Sequence, residues 1–392
     1  MITLLKRALC CAALVAVTAQ VNAQTFRTSA KYAILMDADT GSVLLQNDAD
    51  ELMSPASLVK IMTAEIVFRE IKEGRLRLED TMTVSTKAWK EGGAGARGST
   101  MFAKVNEQIK IADLLRGLIV QSGNDAAITL AEGISGDESA FAELMTKRAR
   151  EIGLRDTRFK NAWGKFDPDQ KTTARDMAKL AVHVIKTYPD LYKIFGEKEF
   201  TWNKIRQLNR NPLLTMGIGA DGLKTGNIAD AGFGLVGSAV RGDLRLVVVI
   251  NGMKSARDRA EEGRKLLAWG FRTFDSKDVF KTGEIVGTAS VYGGDIGRAP
   301  LVSKTPVRVL VPRGSTDRLS GRIEYVGPLL APIEKGRKVA NLRIYRGKEL
   351  TLDAPLYTAV DIKKGPLHSR AFDAAYEGVV NLVRTYVFKS NK

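Results

Sequence analysis

The sequence predicts an α/β protein in which helices flank an antiparallel sheet and a helical block is inserted into the sheet domain. A small all-β domain and a C-terminal amphipathic helix follow. Two observations predict the sheet domain: strand-like apolar pairs lie near its two ends, and helical patterns fill the stretch between them. A third observation predicts the all-β domain, because short strand-like runs separated by Gly, Pro and charged residues begin at about residue 280.

Two hairpins account for the predicted sheet. Residues 31–47 place apolar runs on either side of an Asp39-Thr40-Gly41 turn. The runs GFGLVGSAV and LRLVVVINGM, rich in β-branched residues, flank Arg241-Gly242-Asp243. We expect the strands of both hairpins to share one antiparallel sheet, although the helical block separates them in sequence.

Helical patterns run through the middle of the chain. The first helix is opened by Pro55 and closed by Gly74. Residues 111–133 read as two helices broken by the tripeptide SGN, and a further helix covers about 138–152. An amphipathic helix carrying His183 follows the loop NAWGKFDPDQ, and SARDRAEEGRKLLAWGFRTF forms a helix after the second hairpin.

These elements place the sheet domain at residues 28–276 and the all-β domain at 280–363, with PVRVLVP, GRIEYVG, KVANLRIYR and APLYTAVDI as strand candidates. In residues 366–392, polar side chains fall on one helical stripe and apolar side chains on the opposite one. This segment is therefore predicted to be an amphipathic helix. The sequence does not identify the surface that its apolar face contacts, because such a helix lies on a membrane surface or packs against its own domain or another protein.

The N-terminal segment has the pattern of a secretory signal peptide. Lys6 and Arg7 precede an apolar run, and Val21-Asn22-Ala23 supplies small residues for a cleavage site. We expect cleavage after Ala23, which removes residues 1–23. The alternative is a retained membrane anchor, but the run is short for spanning a bilayer.

Composition narrows the chemistry. The chain has two cysteines, both in the predicted signal peptide, and two histidines. A cysteine nucleophile, a disulfide, a Ser-His-Asp triad and a zinc site are therefore disfavoured, and hydrolytic chemistry would rest on Ser, Thr, Lys or carboxylates. The formal net charge of +16 suits an anionic wall polymer or membrane better than nucleic acid, given the predicted export.

Ser57 and Lys60 are three residues apart at the start of the first predicted helix. That spacing puts both side chains on one face, where the Lys60 amine can approach the Ser57 hydroxyl. Serine needs a base to act as a nucleophile, and lysine becomes one when burial or positive neighbours lower its pKa. The same pair also arises by chance on ordinary helices, so it gains weight only from the rest of the chain.

Two further motifs follow in sequence. On the loop Ser122-Gly123-Asn124, the hydroxyl can relay a proton and the amide can orient a substrate; alternatively, Asn124 only caps a helix. Lys-Thr-Gly occurs twice. Lys224-Thr225-Gly226 precedes the second hairpin and can form a sheet edge that binds a carboxylate, whereas Lys281-Thr282-Gly283 is predicted to be a turn into the all-β domain.

The order Ser-x-x-Lys, Ser-x-Asn, Lys-Thr-Gly is more specific than any one motif. With the stretches SPASLVKIMTA, ARGSTMF, VQSGNDAAITLAE, NRNPLL and DGLKTGN, it resembles the low-molecular-mass (type 5/6) penicillin-binding proteins, which are serine-type D-alanyl-D-alanine carboxypeptidases. The resemblance runs from about residue 28 to the end. It implies a β-lactamase/transpeptidase-like sheet domain that removes the terminal D-alanine from peptidoglycan stem pentapeptides.

The resemblance also implies roles for individual residues. Ser57 would be the acylated nucleophile, Lys60 its base and Ser122 a proton relay. The residues expected to bind the substrate are Asn124, Arg210, Lys224, Thr225 and Gly226. The backbone N–H groups of Ser57 and Asn227 would form the oxyanion hole. Many family members have histidine where this chain has Asn227; because only the backbone is needed there, the change is expected to tune rate or specificity.

The resemblance further implies partners and a location. β-Lactams would acylate Ser57, and neither a metal nor an organic cofactor is expected. The protein would be exported to the periplasm and held at the outer face of the cytoplasmic membrane through the C-terminal helix.

Two other functions stay open on the sequence. A class A β-lactamase shares the three motifs, but it needs a glutamate in the loop between the second and third motifs, where this chain has Asp167, Asp169 and Asp176. The other alternative is a non-catalytic wall-binding protein that kept the fold; the intact Ser57, Lys60 and Lys224 argue against it.

Overall fold

The computed structural model describes residues 26–228, 232–316, 318–347 and 349–366. The predicted signal peptide and, apart from residue 366, the predicted C-terminal helix lie outside the described residues. The strands are β1 (Tyr32–Asp37), β2 (Val43–Asn47), β3 (Thr81–Thr83), β4 (Gln108–Lys110), β5 (Glu199–Trp202), β6 (Ile205–Leu208), β7 (Ala220–Ile228), β8 (Gly232–Arg241), β9 (Leu244–Met253), β10 (Phe274–Phe280), β11 (Ile285–Tyr292), β12 (Arg298–Val302), β13 (Val307–Pro312), β14 (Leu319–Glu324), β15 (Leu329–Leu330), β16 (Lys338–Arg346) and β17 (Glu349–Thr358).

The helices are α1 (Lys60–Lys72), α2 (Thr86–Gly92), α3 (Ile111–Ile119), α4 (Asn124–Ser135), α5 (Glu138–Glu151), α6 (Ala174–Thr187), α7 (Pro189–Tyr192) and α8 (Ala256–Thr273). Short 3₁₀ turns cover Ala56–Val59, Ala94–Ala96, Lys193–Gly196 and Pro212–Thr215. Among the described residues, no helix is both long enough and apolar enough to cross a bilayer.

The two predicted hairpins do share a sheet. Its strand order is β2-β1-β9-β8-β7, with every neighbouring pair antiparallel. Helices α1–α7 are inserted between β2 and β7, and α8 follows β9. The sheet therefore ends on β7, the strand that carries Lys224-Thr225-Gly226.

The sheet is buried on both faces, and side-chain alternation sorts its residues between two cores. On β9, Val247 and Val249 pack into the core of the helical block, whereas Leu246 and Val248 pack with Leu266 of α8. Successive side chains on a strand point to opposite faces, so one apolar run supplies both cores. Each such buried side chain contributes about 1.5–3 kcal/mol to folding, which fixes the platform that carries β7.

The first helix begins later than the sequence predicts. Ala56–Val59 forms a 3₁₀ turn with Pro55 at its N-cap, and the α-helix starts at Lys60. Residues three apart eclipse each other on a 3₁₀ turn, so Ser57 and Lys60 still share one side. Ala56 has a left-handed backbone conformation, with φ of 47°.

The second unit is built from β strands. β14, β16, β17, β12, β11 and β15 form one sheet in that order, and β10 pairs with β13. The sequence did not predict β10, because α8 leads directly into it without a break. The second Lys-Thr-Gly lies in the turn between β10 and β11, away from β7, as predicted.

Candidate active site

A cavity of about 610 Å³ lies where the Ala56–Val59 turn, the α3–α4 connection and β7 meet. We call it the Ser57 cavity. Its lining residues are Ser57, Arg97, Gly98, Ser99, Ser122, Arg210, Thr225, Gly226, Asn227, Phe233, Ala256 and Arg259. The other side chains predicted from the motifs, Lys60, Asn124 and Lys224, are buried. The structure thus brings all the predicted site residues to one region.

Lys60 is completely buried beneath Ser57. Its Nζ lies 3.2 Å from Ser57 Oγ, 2.8 Å from Asn124 Oδ1 and 2.6 Å from the carbonyl oxygen of Trp163. Among the described residues, no carboxylate contacts this nitrogen. The partners of Lys60 are therefore one hydroxyl and two neutral carbonyl oxygens.

This environment disfavours a charged Lys60. Burial lowers its pKa well below 10.5, and the positive charges of Lys224 and Arg210 lower it further, while Asp125 opposes them. A neutral amine has two N–H donors and one lone pair. The two carbonyl oxygens can take both donors, which leaves the lone pair for the Ser57 hydroxyl proton.

A loop from Asn161 to Thr172 supplies the Trp163 carbonyl. Thr63, on the same helix as Lys60, donates to the carbonyl oxygen of Ala162 at 2.6 Å. Asn161 Oδ1 accepts from the backbone N–H of Gly164 at 2.7 Å. We call this segment the 161–172 loop; its hydrogen bonds hold the Trp163 carbonyl over Lys60.

Gly164 permits the close approach of that loop to the nucleophile. Its φ is +94°, and a Cβ there would lie 2.2 Å from Ala56 O and 2.7 Å from Ser57 N. No side chain fits in that space, so only glycine lets the loop pack against the Ser57 turn.

The α3–α4 connection is also held tightly. Ser122 is buried and has a φ of 66°. The backbone N–H of Asn124 donates to Ser99 O at 2.7 Å. Asp125, fully buried, accepts from Thr100 Oγ1 at 2.6 Å and from Met101 N at 2.9 Å. Asp125 thereby fixes the segment that forms the Arg97–Ser99 wall of the cavity.

Strand β7 approaches the nucleophile through Gly226. A Cβ at Gly226 would lie 3.2 Å from both Pro55 O and Leu58 Cγ, so a side chain would push the strand away from the turn. Lys224, buried beside it, donates from Nζ to Thr225 O at 3.1 Å. Burial, with help from nearby arginines, lowers the pKa of Lys224 to about 7.

Arg259 is a cavity residue that the motifs did not reveal. It lies on α8, is buried, and its Nε has no hydrogen-bond partner among the described residues. Its guanidinium lies 5.8 Å from the ring centre of Phe233, and burial lowers its pKa to about 10. A signal existed in the sequence: Arg259 is seven residues before Leu266 on α8, so the two lie on the same buried face, where a charge is unexpected.

The cavity is strongly electropositive. Arg97, Arg210 and Arg259 line it, and the described part of its lining contains no Asp or Glu. A cavity of this size, with several cations and a hydroxyl above a buried amine, is suited to a small molecule that carries a carboxylate.

Other polar candidates do not reach this cavity. His183 Nε2 lies 3.1 Å from Glu65 Oε1 in a separate cluster, so it is half-buried rather than a plain surface residue. Asp167 Oδ1 accepts from the backbone of Asp169, and Asp176 Oδ2 accepts from Thr157 Oγ1. In the described ranges, no group of three His, Cys, Asp or Glu side chains is arranged to hold a metal ion.

Comparison with known proteins finds two matching family models. Residues 17–255 match the family model described as D-alanyl-D-alanine carboxypeptidase, and residues 274–364 match that of the penicillin-binding protein 5 C-terminal domain. D-alanyl-D-alanine carboxypeptidase DacC of Escherichia coli (strain K12) is 40% identical over 343 residues, which cover 87% of this chain and 86% of that protein.

Solved structures give the same result. The crystal structure of penicillin binding protein 5 from Haemophilus influenzae has a TM-score of 0.78 and 36% identity, covering 86% of this chain and 99% of that one. Penicillin-Binding Protein D2 from Listeria monocytogenes, solved in an ampicillin-bound form, has a TM-score of 0.55 and 26% identity, covering 63% and 98% respectively. The two family models and the likeness to the Haemophilus influenzae protein confirm the predicted sheet domain followed by an all-β domain.

Proposed function

The chain belongs to the D-alanyl-D-alanine carboxypeptidase family of low-molecular-mass penicillin-binding proteins, and we propose that it removes the terminal D-alanine from peptidoglycan stem pentapeptides through an acyl-enzyme on Ser57. One observation carries the mechanism. The Lys60 amine is buried, with two carbonyl acceptors and the Ser57 hydroxyl around it. That arrangement favours a neutral base aimed at the nucleophile.

Acylation then follows from the geometry. Lys60 Nζ takes the Ser57 hydroxyl proton as Oγ attacks the carbonyl carbon of the penultimate D-alanine. Negative charge develops on the carbonyl oxygen, and the backbone N–H groups of Ser57 and Asn227 are its proposed donors. Ser57 lies just before the N-terminus of α1, whose dipole also favours that charge.

Collapse of the tetrahedral intermediate breaks the C–N bond. The leaving nitrogen needs a proton, which passes from Lys60 through the Ser122 hydroxyl. D-alanine departs and Lys60 is neutral again. A water molecule then gives a proton to Lys60 and attacks the ester carbon; as the bond from that carbon to Ser57 Oγ breaks, Lys60 returns the proton to Oγ, which releases the shortened peptide and restores both residues.

The cations of the Ser57 cavity account for cleavage at the C-terminal peptide bond of the substrate. Arg210, Lys224 and Arg259 surround the place where the terminal carboxylate would lie, and Thr225 can donate a hydrogen bond to it. An internal peptide bond brings no carboxylate there. The same groups would bind the carboxylate of a β-lactam, whose amide would acylate Ser57.

The 161–172 loop favours this reading over a class A β-lactamase. Asp167 and Asp169 are hydrogen-bonded within the loop, and Lys60 contacts no carboxylate among the described residues. Hydrolysis of the acyl-enzyme would depend on Lys60 alone, which suits a long-lived β-lactam adduct.

The decisive experiment maps the acylated residue. Wild-type protein, Ser57→Ala and the exposed-serine control Ser139→Ala are incubated with a labelled penicillin and analysed by mass spectrometry. In parallel, D-alanine release from a pentapeptide is measured. We expect adduct and release from the wild type and the control but not from Ser57→Ala. An adduct that persists in Ser57→Ala overturns the proposal.

We also propose a location for the enzyme and roles for its two terminal segments. Residues 1–23 direct export to the periplasm, and residues 366–392 lie on the outer face of the cytoplasmic membrane. The high positive charge of the chain supports an anionic wall or membrane as its neighbour. The domain limits 28–276 and 280–363 are likewise proposed.

A further inference from the structure

A second cavity of about 890 Å³ adjoins the Ser57 cavity. Asn227 and Phe233 line both cavities, so the two meet at the C-terminal end of β7. Nothing in the proposed chemistry uses the second cavity. We call it the lysine cavity, for the residues that distinguish it.

Three lysines from three separate segments converge on this cavity. Lys31 directly precedes β1, Lys171 belongs to the 161–172 loop, and Lys254 connects β9 to α8. No Asp or Glu is among the described lining residues, and none of these lysines has a carboxylate within 4.0 Å in the described ranges. Asp48 acts on Lys31 electrostatically, but it does not line the cavity.

Two large hydrophobic side chains that line the lysine cavity are exposed. Leu52 is 56% exposed and Phe166 is 51% exposed, although both are large hydrophobic side chains. Positive charge beside exposed apolar side chains suits an anionic group on a hydrocarbon stem rather than a bare inorganic ion.

The acyl-side part of a bound peptide would run towards the lysine cavity. In the proposed function the terminal carboxylate lies by Arg210 and Arg259, and the scissile carbonyl lies between Ser57 and the Asn227 backbone. A linear peptide held in this way continues on the acyl side past Asn227. Because Asn227 also lines the lysine cavity, that part of the peptide enters it.

We propose that Lys31, Lys171 and Lys254 form a subsite for a carboxylate carried by the acyl side of the peptide substrate. This inference rests on the proposed function and adds a substrate preference to it: pentapeptides whose third residue carries a side-chain carboxylate are processed faster than the same peptides with a carboxamide there.

The test uses two pentapeptides that end in D-Ala-D-Ala. Their third residue carries a side-chain carboxylate in one and the corresponding carboxamide in the other. One exposed ion pair strengthens binding by up to about fivefold, and often by less. We therefore expect the three lysines together to give the acidic peptide about a tenfold higher kcat/KM. We expect the triple variant Lys31→Gln/Lys171→Gln/Lys254→Gln to bring that ratio close to one.

The control variant Lys193→Gln/Lys281→Gln/Lys335→Gln loses the same charge elsewhere on the surface and should keep the wild-type ratio. A second measurement needs no variant: raising the salt from about 0.05 to about 0.5 M should reduce the wild-type ratio towards one, because exposed charges are screened. A wild-type ratio near one, or a lysine-cavity variant that keeps the preference, overturns the subsite.

Failure of the subsite differs from failure of the proposed function. If D-alanine is released equally from both peptides, the enzyme stands and the subsite falls. If neither peptide releases D-alanine and no penicillin adduct forms, the proposed function itself falls.

Discussion

Lys60 Nζ lies 3.2 Å from Ser57 Oγ with no carboxylate among its described contacts. The base is therefore tuned by burial and by neighbouring cations rather than by an acidic partner. Its proton affinity should respond to the charge of residues that never touch the nucleophile.

The pH dependence of acylation should move when a neighbouring cation is removed. Lys60 acts as a base only when neutral, so acylation falls about tenfold per pH unit below its pKa. Arg210 lowers that pKa, and Arg210→Gln should raise it and shift the acid limb to higher pH. The measurement is the rate of labelling by a fluorescent penicillin across pH. Arg206→Gln, an exposed arginine paired with Glu199, is the control, and an acid limb that stays in place for Arg210→Gln contradicts the prediction.

Lys224 should make stability depend on pH in the alkaline range. Its pKa is about 7 in the folded state, where burial is the main cause, against 10.5 when unfolded. Between these values the unfolded chain binds more protons, so stability rises with pH. In Lys224→Met this contribution vanishes. The Tm of the wild type minus that of Lys224→Met should therefore increase from about pH 7 towards 10.5, and a difference that stays flat would refute the low pKa.

Gly164→Ala should damage the site through the backbone. The new Cβ would lie 2.2 Å from Ala56 O, at a φ of +94°, so the 161–172 loop must move away from Ser57. We expect a loss of about 2 kcal/mol or more in the free energy of unfolding and at least tenfold slower acylation in the folded protein. Urea denaturation and penicillin labelling measure the two effects.

The matched control for this change is Gly95→Ala, because a Cβ there meets nothing within 4 Å and the φ is not positive. It should behave like the wild type in both measurements. Normal labelling by Gly164→Ala would show that the loop does not need to lie so close to the nucleophile.

Arg259→Gln should weaken recognition of the terminal carboxylate. Its guanidinium is buried at the cavity with an unused N–H, and a charge-assisted hydrogen bond contributes about 1.5–3 kcal/mol. We expect kcat/KM for a pentapeptide to fall about 10- to 100-fold, and the advantage over a C-terminal amide to shrink with it. Arg264→Gln, on the same helix but paired with Glu261, is the control and should change neither value. If Arg259→Gln keeps the full preference for the free carboxylate over the amide, Arg259 does not recognise the terminal carboxylate.

Patterns that repeat along the chain predicted the sheet and the motifs. In the two hairpins, apolar residues alternate with polar ones or fill whole strands. The motifs consist of side chains whose chemistry can be read directly from the sequence. Arg259 was not predicted because the helical pattern does not show what covers the face of α8 that buries both Arg259 and Glu262.

The Trp163 carbonyl was beyond sequence reasoning for a different reason. Every residue has a carbonyl, so nothing marks the one that the 161–172 loop places over Lys60. Likewise, the 3₁₀ turn at Ala56–Val59 packs closely against Gly164 and Gly226, which are distant in sequence, so a local pattern does not predict its surroundings.

The left-handed backbone of Ala56 and Ser122 bears on any attempt to make this protein heat-resistant. Non-glycine residues in that region each lower stability by roughly 1–3 kcal/mol; Ala56 directly precedes the proposed nucleophile, and Ser122 is itself the proposed proton relay. Substitutions that raise the melting temperature by relaxing these two turns would therefore slow the enzyme. Substitutions that raise the melting temperature should instead be placed in the all-β unit, which lies outside the Ser57 cavity, so that stability can increase without a loss of turnover.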